Sequence, residues 1–181
     1  KQYIISNVPT SYIDFVGRKY ELSMINNAFD LGTKALFIQG FAGIEKSEIA
    51  KKYIEESKLK YDAIVFHRYT GHLKDVIKTL SVANNIEEIT LSKAKILCQN
   101  AKVLFIIDNY DSEEYDDILD DMDSYLDSLL SLNAHFIFTS RNSFSDIFNS
   151  RQIATILLEQ MPSEDLLKIF TDKKALYVAE R

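Results

Sequence analysis

Residues 36–47 read LFIQGFAGIEKS, an apolar run that leads into a glycine-containing turn and then into Lys-Ser. The pattern G-x-x-x-x-G-K-[ST] forms a phosphate-binding loop, in which backbone N–H groups surround the phosphates and the lysine reaches the terminal ones. Gly40, Lys46 and Ser47 fit this pattern, and Gly43 lies within the turn. The serine hydroxyl would hold Mg²⁺, and the following helix would add the positive end of its dipole. The segment therefore predicts a nucleotide phosphate site between a strand and a helix.

Glu45 stands where the pattern requires its second glycine. If the position needs a positive φ, a side chain there costs roughly 1–2 kcal/mol. A carboxylate about 4 Å from a phosphate charge adds a repulsion of roughly 1 kcal/mol in water and about 4 kcal/mol at an effective dielectric near 20. A micromolar complex has only about 8 kcal/mol of binding free energy. We therefore expect weak nucleotide binding at this loop, unless the Glu45 side chain turns into solvent.

Residues 102–109 read KVLFIIDN, an apolar strand that ends in an acid. In phosphate-loop NTPases such a strand-end aspartate, here Asp108, holds the Mg²⁺ shell, often through water. An acid at the next position commonly activates the attacking water, but this chain has Asn109 there. An amide can orient a water, yet it cannot accept its proton at neutral pH. Asp111, two residues further on, is the alternative base.

Residues 135–141 read HFIFTSR, a third apolar strand that ends in polar residues and an arginine. Arginine stays charged and binds phosphate in a bidentate way, so Arg141 is a candidate sensor of the terminal phosphate. The alternative is that Arg141 pairs with the acidic residues at 111–127 or caps a loop. Both interpretations stay open at this point.

Strand and helix patterns alternate along the chain. Short β-branched or aromatic runs predict five strands, and residues with helical spacing of apolar positions fall between them. The predicted strands are Ala35–Gln39, 63–67, 103–107, 135–139 and 155–158, and the predicted helices are 17–29, 47–57, 73–80, 92–100 and 115–132. This alternation predicts an α/β fold with a parallel sheet that is covered by helices on both faces.

Composition indicates one α/β domain, because 181 residues with 46% apolar and 27% charged residues can bury a sizeable core. Cys98 is the one cysteine, which excludes an internal disulfide and favours a reducing, cytoplasmic location. No apolar run approaches the roughly 20 residues of a membrane span. Both ends look cut, so the chain is interpreted as a fragment, with a lead-in at 1–14, a core domain at 15–170 and the helical start of a further subdomain at 171–181.

The net charge of −6 argues against direct nucleic-acid binding as the main role. The charge is uneven, since the acidic stretch, residues 111–127, holds nine acids and no lysine or arginine, while the rest of the chain carries +3. Such a stretch is either a solvated helix face or loop, which is the favoured interpretation, or a partner site.

Five segments, taken in chain order, together resemble the motifs of one family. They are FVGRKYEL at 15–22, GFAGIEKS at 40–47, IDN at 107–109, TSR at 139–141 and LLEQMPSEDLLKIF at 157–170. The set resembles the NB-ARC branch of the STAND signalling ATPases, or AP-ATPases, which are P-loop NTPases related to the AAA+ proteins. The corresponding motifs of that family read F-V-G-R-x-x-E-L, G-x-G-G-I-G-K-[ST], L-D-D and T-[ST]-R.

The resemblance implies a three-layer P-loop NTPase fold of the ASCE/AAA+ type, with a five-stranded parallel sheet in the order 2-3-1-4-5. It implies that Val16 and Arg18 lie beside the adenine and the phosphates. It also implies that ADP is held in a resting state and that exchange or ATP binding drives oligomerisation.

The leading hypothesis is a regulatory switch domain that binds ADP or ATP with Mg²⁺ through the residues singled out above, with little or no hydrolysis. Its expected partners are the nucleotide, other domains of a larger signalling protein and further copies on activation, with no membrane. The alternative is a degenerate phosphate-loop domain that acts as a protein-protein interaction scaffold without nucleotide.

Overall fold

Parallel strands flanked by helices make up the part of the chain that the computed structural model describes, which is residues 4–6, 9, 17–83, 89–111, 119–142 and 152–160. The strands are β1 Ile4–Ser6, β2 Ala35–Gln39, β3 Ala63–Arg68, β4 Val103–Asp108, β5 Ala134–Ser140 and β6 Ile153–Leu157. The helices are α1 Lys19–Asp30, α2 Lys46–Ser57, α3 Lys74–Ala83, α4 Leu91–Asn100 and α5 Leu119–Leu130, with a 3-10 turn at Lys58–Lys60 after α2.

The strands pair in the order β1-β3-β4-β5-β2-β6, and every neighbouring pair is parallel. The predicted α/β class, with five parallel strands between helices, is confirmed. Edge strand β1 is a sixth strand, and it lies within residues 1–14, which were predicted as a lead-in. Its three residues pair with β3 at Ala63, Ile64 and Val65.

The position of β5 corrects the predicted order 2-3-1-4-5. Numbered in the same way, with β2 as the first strand, the five strands follow the order 2-3-4-1-5, since β5 lies between β4 and β2. Aromatic packing across the three strands accounts for this placement. Phe138 of β5 stacks on Phe37 of β2 at 4.6 Å between ring centroids, and Phe136 stacks on Phe105 of β4 at 5.1 Å.

Two apolar layers cover the two faces of the sheet. Alternating side chains of each strand point to opposite faces, so Phe37 and Phe105 pack with α3, α4 and α5, whereas Leu36 and Leu104 pack with α1 and α2. Burial on both faces explains why the central strands read as continuous apolar runs. Among the described residues, no helix is long and apolar enough to cross a membrane.

His135 lies where β5 begins, within a hydrogen-bonded and stacked group of aromatic residues. Its ring stacks on Phe29 of α1 at 4.2 Å, and its Nδ1 is 2.8 Å from the hydroxyl of Tyr61. That hydroxyl is in turn 3.2 Å from the hydroxyl of Tyr53. Burial, together with the smaller effect of the positive charge of Lys102, lowers the pKa of His135 to about 4. The imidazole is therefore neutral in the folded protein at neutral pH.

Stability is expected to fall as the pH drops from about 6.5 to about 4. The unfolded chain takes up a proton at His135 near pH 6.5, whereas the folded chain resists it down to about 4. The loss cannot exceed about 1.4 kcal/mol per pH unit for this one group. Urea unfolding at a series of pH values should show a shallower dependence for His135→Gln. The control is His72→Gln, at an exposed histidine, and it should reproduce the pH dependence of the parent.

Candidate functional site

The loop between β2 and α2 has the backbone that a phosphate-binding loop requires. A Cβ at Gly40 would lie 2.8 Å from Cγ2 of Ile44 and 3.2 Å from Cβ of Leu158, so only glycine fits there. Gly43 has a φ of 80°, in the left-handed region that favours glycine. The predicted strand, turn and helix are all present, and the helix begins at Lys46.

Glu45 adopts the left-handed conformation, with φ 68° and ψ 28°, at the N-cap of α2. The position therefore needs the positive φ that glycine normally supplies, and a side chain there costs roughly 1–2 kcal/mol. The side chain makes no capping hydrogen bond, and the residue is exposed. Its backbone O still accepts from the N–H of Ile49, at 3.1 Å. The helix thus starts as the motif requires, in spite of the substitution.

Lys46 extends its amino group across the loop. Its Nζ donates to the backbone O of Gly40 at 2.8 Å and to that of Phe41 at 3.0 Å. Burial lowers the pKa of Lys46, the charge of Arg141 lowers it as well, and Asp111 and Asp108 oppose the shift. The lysine is therefore placed on the loop and lies within electrostatic range of the groups at the ends of β4 and β5.

Asp108, at the end of β4, lies at the centre of a compact group of oxygens. Its Oδ1 accepts from the hydroxyl of Ser47 at 2.6 Å and from that of Thr139 at 2.7 Å. The backbone N–H of Asn109 donates to Thr139 Oγ1 at 2.8 Å, and Asn109 itself has a φ of 60°. The structure thus brings together Ser47 and Asp108, the two residues predicted for the metal.

Thr139 was not among the predicted site residues, although the T-S-R stretch in which it lies was singled out. It is 1% exposed, and it links β5 to both Asp108 and Asn109. The signal that could have identified it is a hydroxyl at the end of an apolar strand. The hydrogen bonds of Thr139 to Asp108 and Asn109 require β4 and β5 to be neighbours, and the predicted strand order did not place them side by side.

Thr139→Val is expected to lower the free energy of unfolding by about 1–3 kcal/mol. The substitution keeps the side-chain shape of the buried Thr139 but leaves the backbone N–H of Asn109 without its acceptor and Asp108 Oδ1 without one of its donors. Urea unfolding measures the effect. Thr155→Val is the matched control, because Thr155 is an exposed residue of edge strand β6 and should change stability by no more than about 0.5 kcal/mol. Equal effects at the two positions would contradict the anchoring role of Thr139.

Asp111 and Arg141 form an ion pair beyond the ends of β4 and β5. The backbone N–H of Arg141 donates to Asp111 Oδ1 at 2.6 Å, and its Nε donates to Oδ2 at 3.0 Å. Ser140 Oγ donates the third hydrogen bond of this carboxylate, to Oδ1 at 3.1 Å. Arg141 therefore does pair with the acidic stretch, as one of the two interpretations held. The carboxylate of Asp111, the alternative base, already accepts three hydrogen bonds.

Two further predicted positions belong to the opening motif at 15–22. Val16 lies outside the described residues. Arg18 is the N-cap of α1, with φ 59°, and it is buried, with Nη1 donating to Glu21 Oε1 at 2.7 Å. The Nε of Arg18 is buried and has no hydrogen-bond partner among the described residues. Arg18 does not line the cleft described next, so its role at a nucleotide stays a prediction.

An open cleft of about 470 Å³ joins these features. Its volume falls within the range of small-molecule sites. The lining residues are Ala42, Gly43, Glu45, Lys46, Ser47, Glu48, Asn109, Thr139 and Arg141. Glu48 is paired with Lys51 at 2.6 Å.

No group of three or more His, Cys, Asp or Glu residues that could hold a metal occurs among the described residues. One carboxylate and one hydroxyl suit Mg²⁺, which keeps several waters and takes few protein ligands.

The parallel sheet, the glycine loop at the start of α2 and the Ser47–Asp108 contact define a P-loop NTPase-like α/β domain. No protein-family model matches the chain, and no curated protein matches it in sequence. Solved structures, however, share its fold.

Three of these structures are a Walker-type ATPase and chains from two larger complexes. The Walker-type ATPase PABY2304 of Pyrococcus abyssi matches with a TM-score of 0.56 and 13% identity, over 90% of this chain and 59% of that chain. A chain of the Drosophila ORC bound to DNA matches with a TM-score of 0.57 and 18% identity, over 84% and 45%. A chain of the E. coli MS115-1 HORMA:CdnC:Trip13 complex matches with a TM-score of 0.53 and 10% identity, over 88% and 66%. At these identities the likeness concerns the fold, and this chain spans less than two thirds of each of those chains.

Proposed function

We propose that this chain is the nucleotide-binding switch domain of a larger signalling ATPase and takes ADP or ATP with Mg²⁺. The observation that carries the proposal is the Asp108 carboxylate, whose Oδ1 accepts from Ser47 and Thr139 beside the lysine of the loop. A strand-end acid alone is an ordinary turn residue. Its contact with the serine that follows the loop lysine is what a Mg²⁺–phosphate site requires.

The residues present fit that ligand in their chemistry. Ser47 and Asp108 supply the oxygens that Mg²⁺ takes, and the metal, when bound, neutralises charge on the phosphates. Lys46 supplies a positive charge on the loop, and the left-handed Glu45 leaves the backbone at the start of α2 in the required conformation. Backbone N–H groups at a helix N-terminus favour an anion. The loop can therefore receive phosphate oxygens once Lys46 turns from its own carbonyl partners.

Slow turnover is part of the proposal. Asn109 lines the cleft at the position next to the metal aspartate, and its amide cannot take a proton from water. Asp111 is engaged with Arg141 and Ser140. Nucleotide binding with slow hydrolysis fits the role of a switch better than it fits the role of a rapid ATPase. The resemblance to NB-ARC proteins supports this role, with other domains of the parent protein and further copies as partners in the cytoplasm. The chains of similar fold include members of multiprotein complexes.

The second candidate, a scaffold without nucleotide, is favoured by two observations at the loop. Lys46 is hydrogen-bonded to the carbonyls of its own loop, and an acidic side chain lines the cleft at Glu45. Both features oppose the entry of a polyphosphate. In that case the acidic stretch and the sheet edges would serve a protein partner.

Calorimetric titration with Mg·ADP and Mg·ATP distinguishes the two candidates. We expect the parent chain to bind with a Kd between about 0.1 and 1 mM, since Glu45 weakens a complex that would otherwise be micromolar. Lys46→Ala and Asp108→Asn should each abolish the heat signal. Lys52→Ala, on the outward side of the same helix, should leave it unchanged. No heat from any form of the chain would favour the scaffold, and heat that survives Lys46→Ala would contradict nucleotide binding at this loop.

A further inference from the structure

Asp111 differs from an ordinary member of the acidic stretch because its carboxylate is enclosed. Its side chain is 6% exposed, whereas that of Arg141 is 41% exposed. Both carboxylate oxygens accept hydrogen bonds from Arg141, one from the backbone N–H and one from Nε. Ser140 Oγ donates to Asp111 and also accepts from the N–H of Asn142 at 3.0 Å. The favoured interpretation of a solvated acid is therefore wrong for Asp111.

The ion pair lies at the rim of the phosphate cleft. Arg141 lines the cleft together with Lys46 and Ser47, and Asp111 is not among the lining residues. Lys46 responds to both charges, because Arg141 lowers the pKa of this lysine and Asp111 raises it. A negatively charged ligand in the cleft would therefore meet an Arg141 side chain whose charge is already balanced by Asp111.

Resting on the proposed function, we infer that Asp111 sets the preference between nucleoside diphosphate and triphosphate by competing with the terminal phosphate for Arg141. The loop, Lys46 and the Mg²⁺ ligands are enough to bind a diphosphate. A triphosphate carries additional negative charge, which the guanidinium of Arg141 would balance. Moving Arg141 toward the phosphate breaks its Nε hydrogen bond to Asp111. Breaking this bond is costly because the Asp111 side chain is only 6% exposed, so its charge would lose a partner in a nearly buried place. Asp111 thereby favours the diphosphate-bound state.

Removing the charge of Asp111 should therefore change selectivity rather than overall affinity. Asp111→Asn keeps an oxygen for the backbone N–H of Arg141 and removes the charge that holds the guanidinium. We expect the Kd of a non-hydrolysable Mg·ATP analogue to fall by roughly tenfold, equivalent to 1.4 kcal/mol, with the Kd of Mg·ADP within twofold of the parent. Arg141→Gln should shift the ratio in the opposite direction, and the double variant should lose the effect of Asp111→Asn.

The measurements use calorimetry on the parent chain and, for higher affinity, on the Glu45→Gly chain. Asp127→Asn is the matched control, because Asp127 is an exposed acid of the same stretch and should leave the ratio unchanged. A ratio that Asp111→Asn leaves unchanged, or an equal loss for both nucleotides, overturns the inference while nucleotide binding stands. If Asp111→Asn does not fold, the direction of the Arg141→Gln shift decides. If no nucleotide binds even to Glu45→Gly, the proposed function and the inference fall together.

Discussion

Glu45→Gly is expected to tighten the binding of Mg·ADP by roughly 10- to 100-fold, equivalent to roughly 1.4–2.8 kcal/mol. The gain comes from removing a negative charge from the lining of the cleft. The side chain is exposed, so the repulsion falls toward the lower part of the range of about 1–4 kcal/mol for a charge pair about 4 Å apart. Clearing the side chain from the path of the phosphates adds to the gain.

The conformational strain at Glu45 acts on a different quantity. Its backbone is already left-handed without a nucleotide, so the cost of roughly 1–2 kcal/mol is part of the folding free energy and not of binding. Glycine removes that strain but gives the unfolded chain more freedom, by roughly 0.5–1 kcal/mol. The free energy of unfolding of Glu45→Gly should therefore rise by no more than about 1 kcal/mol. Urea unfolding and calorimetry, measured on the same samples, separate the two effects.

Glu45→Gln is the matched control for the charge. It keeps the side chain and the strained backbone, so any gain in affinity that it shares with Glu45→Gly is electrostatic. We expect it to recover roughly half of the gain in free energy. Parent, Gln and Gly chains of equal affinity would show that Glu45 does not obstruct the loop, and weak binding would then have another origin in the cleft.

The local features of the site were predictable from the sequence because each one is encoded by neighbours along the chain. The strand, the turn and the helix around Gly40 and Lys46 form one continuous segment, and Asp108 ends one apolar run. A positive φ at Glu45 also follows from the motif, once the glycine pattern is known. The parallel arrangement followed from the alternation of strands and helices.

The lateral arrangement was not predictable in the same way. The order 2-3-1-4-5 would have placed the loop strand beside β4, with no strand between them. The observed order inserts β5, and its packing rests on phenylalanine pairs such as Phe37–Phe138, which no local pattern reports. The bonds of Thr139 to Asp108 and of Asp111 to Arg141 both follow from that insertion. Strand β1, with three residues, is too short to give a periodic signal.

The two departures from the motif act on separate steps. Glu45 lines the mouth of the cleft and opposes the arrival of phosphate, whereas Asn109 lies beyond Asp108, where a water would be activated. Reversing one should therefore leave the other in force. A chain with glycine at position 45 should hold ATP well and still hydrolyse it slowly, which allows the second departure to be tested on its own.

Asn109→Asp, introduced into the Glu45→Gly chain, is expected to raise the rate of ATP hydrolysis by roughly 100-fold or more. A positioned general base contributes typically 10²–10⁴-fold. Asn109 lines the cleft, so a carboxylate there faces the same space as Lys46 and Ser47. Its φ of 60° lies in the left-handed region, which aspartate and asparagine tolerate better than other side chains. The backbone N–H keeps its bond to Thr139. Release of inorganic phosphate under saturating Mg·ATP measures the rate.

Asn109→Ala in the same Glu45→Gly chain controls for the loss of the amide and should give no increase, because alanine supplies no base. Adding Lys46→Ala to the Asn109→Asp chain should abolish the gained activity, which ties the hydrolysis to this cleft and excludes a contaminant. Tight ATP binding without faster turnover in the Asn109→Asp chain would contradict the assignment of position 109 to water activation. The slow step would then lie elsewhere, with the engagement of Arg141 by Asp111 as the next contact to break.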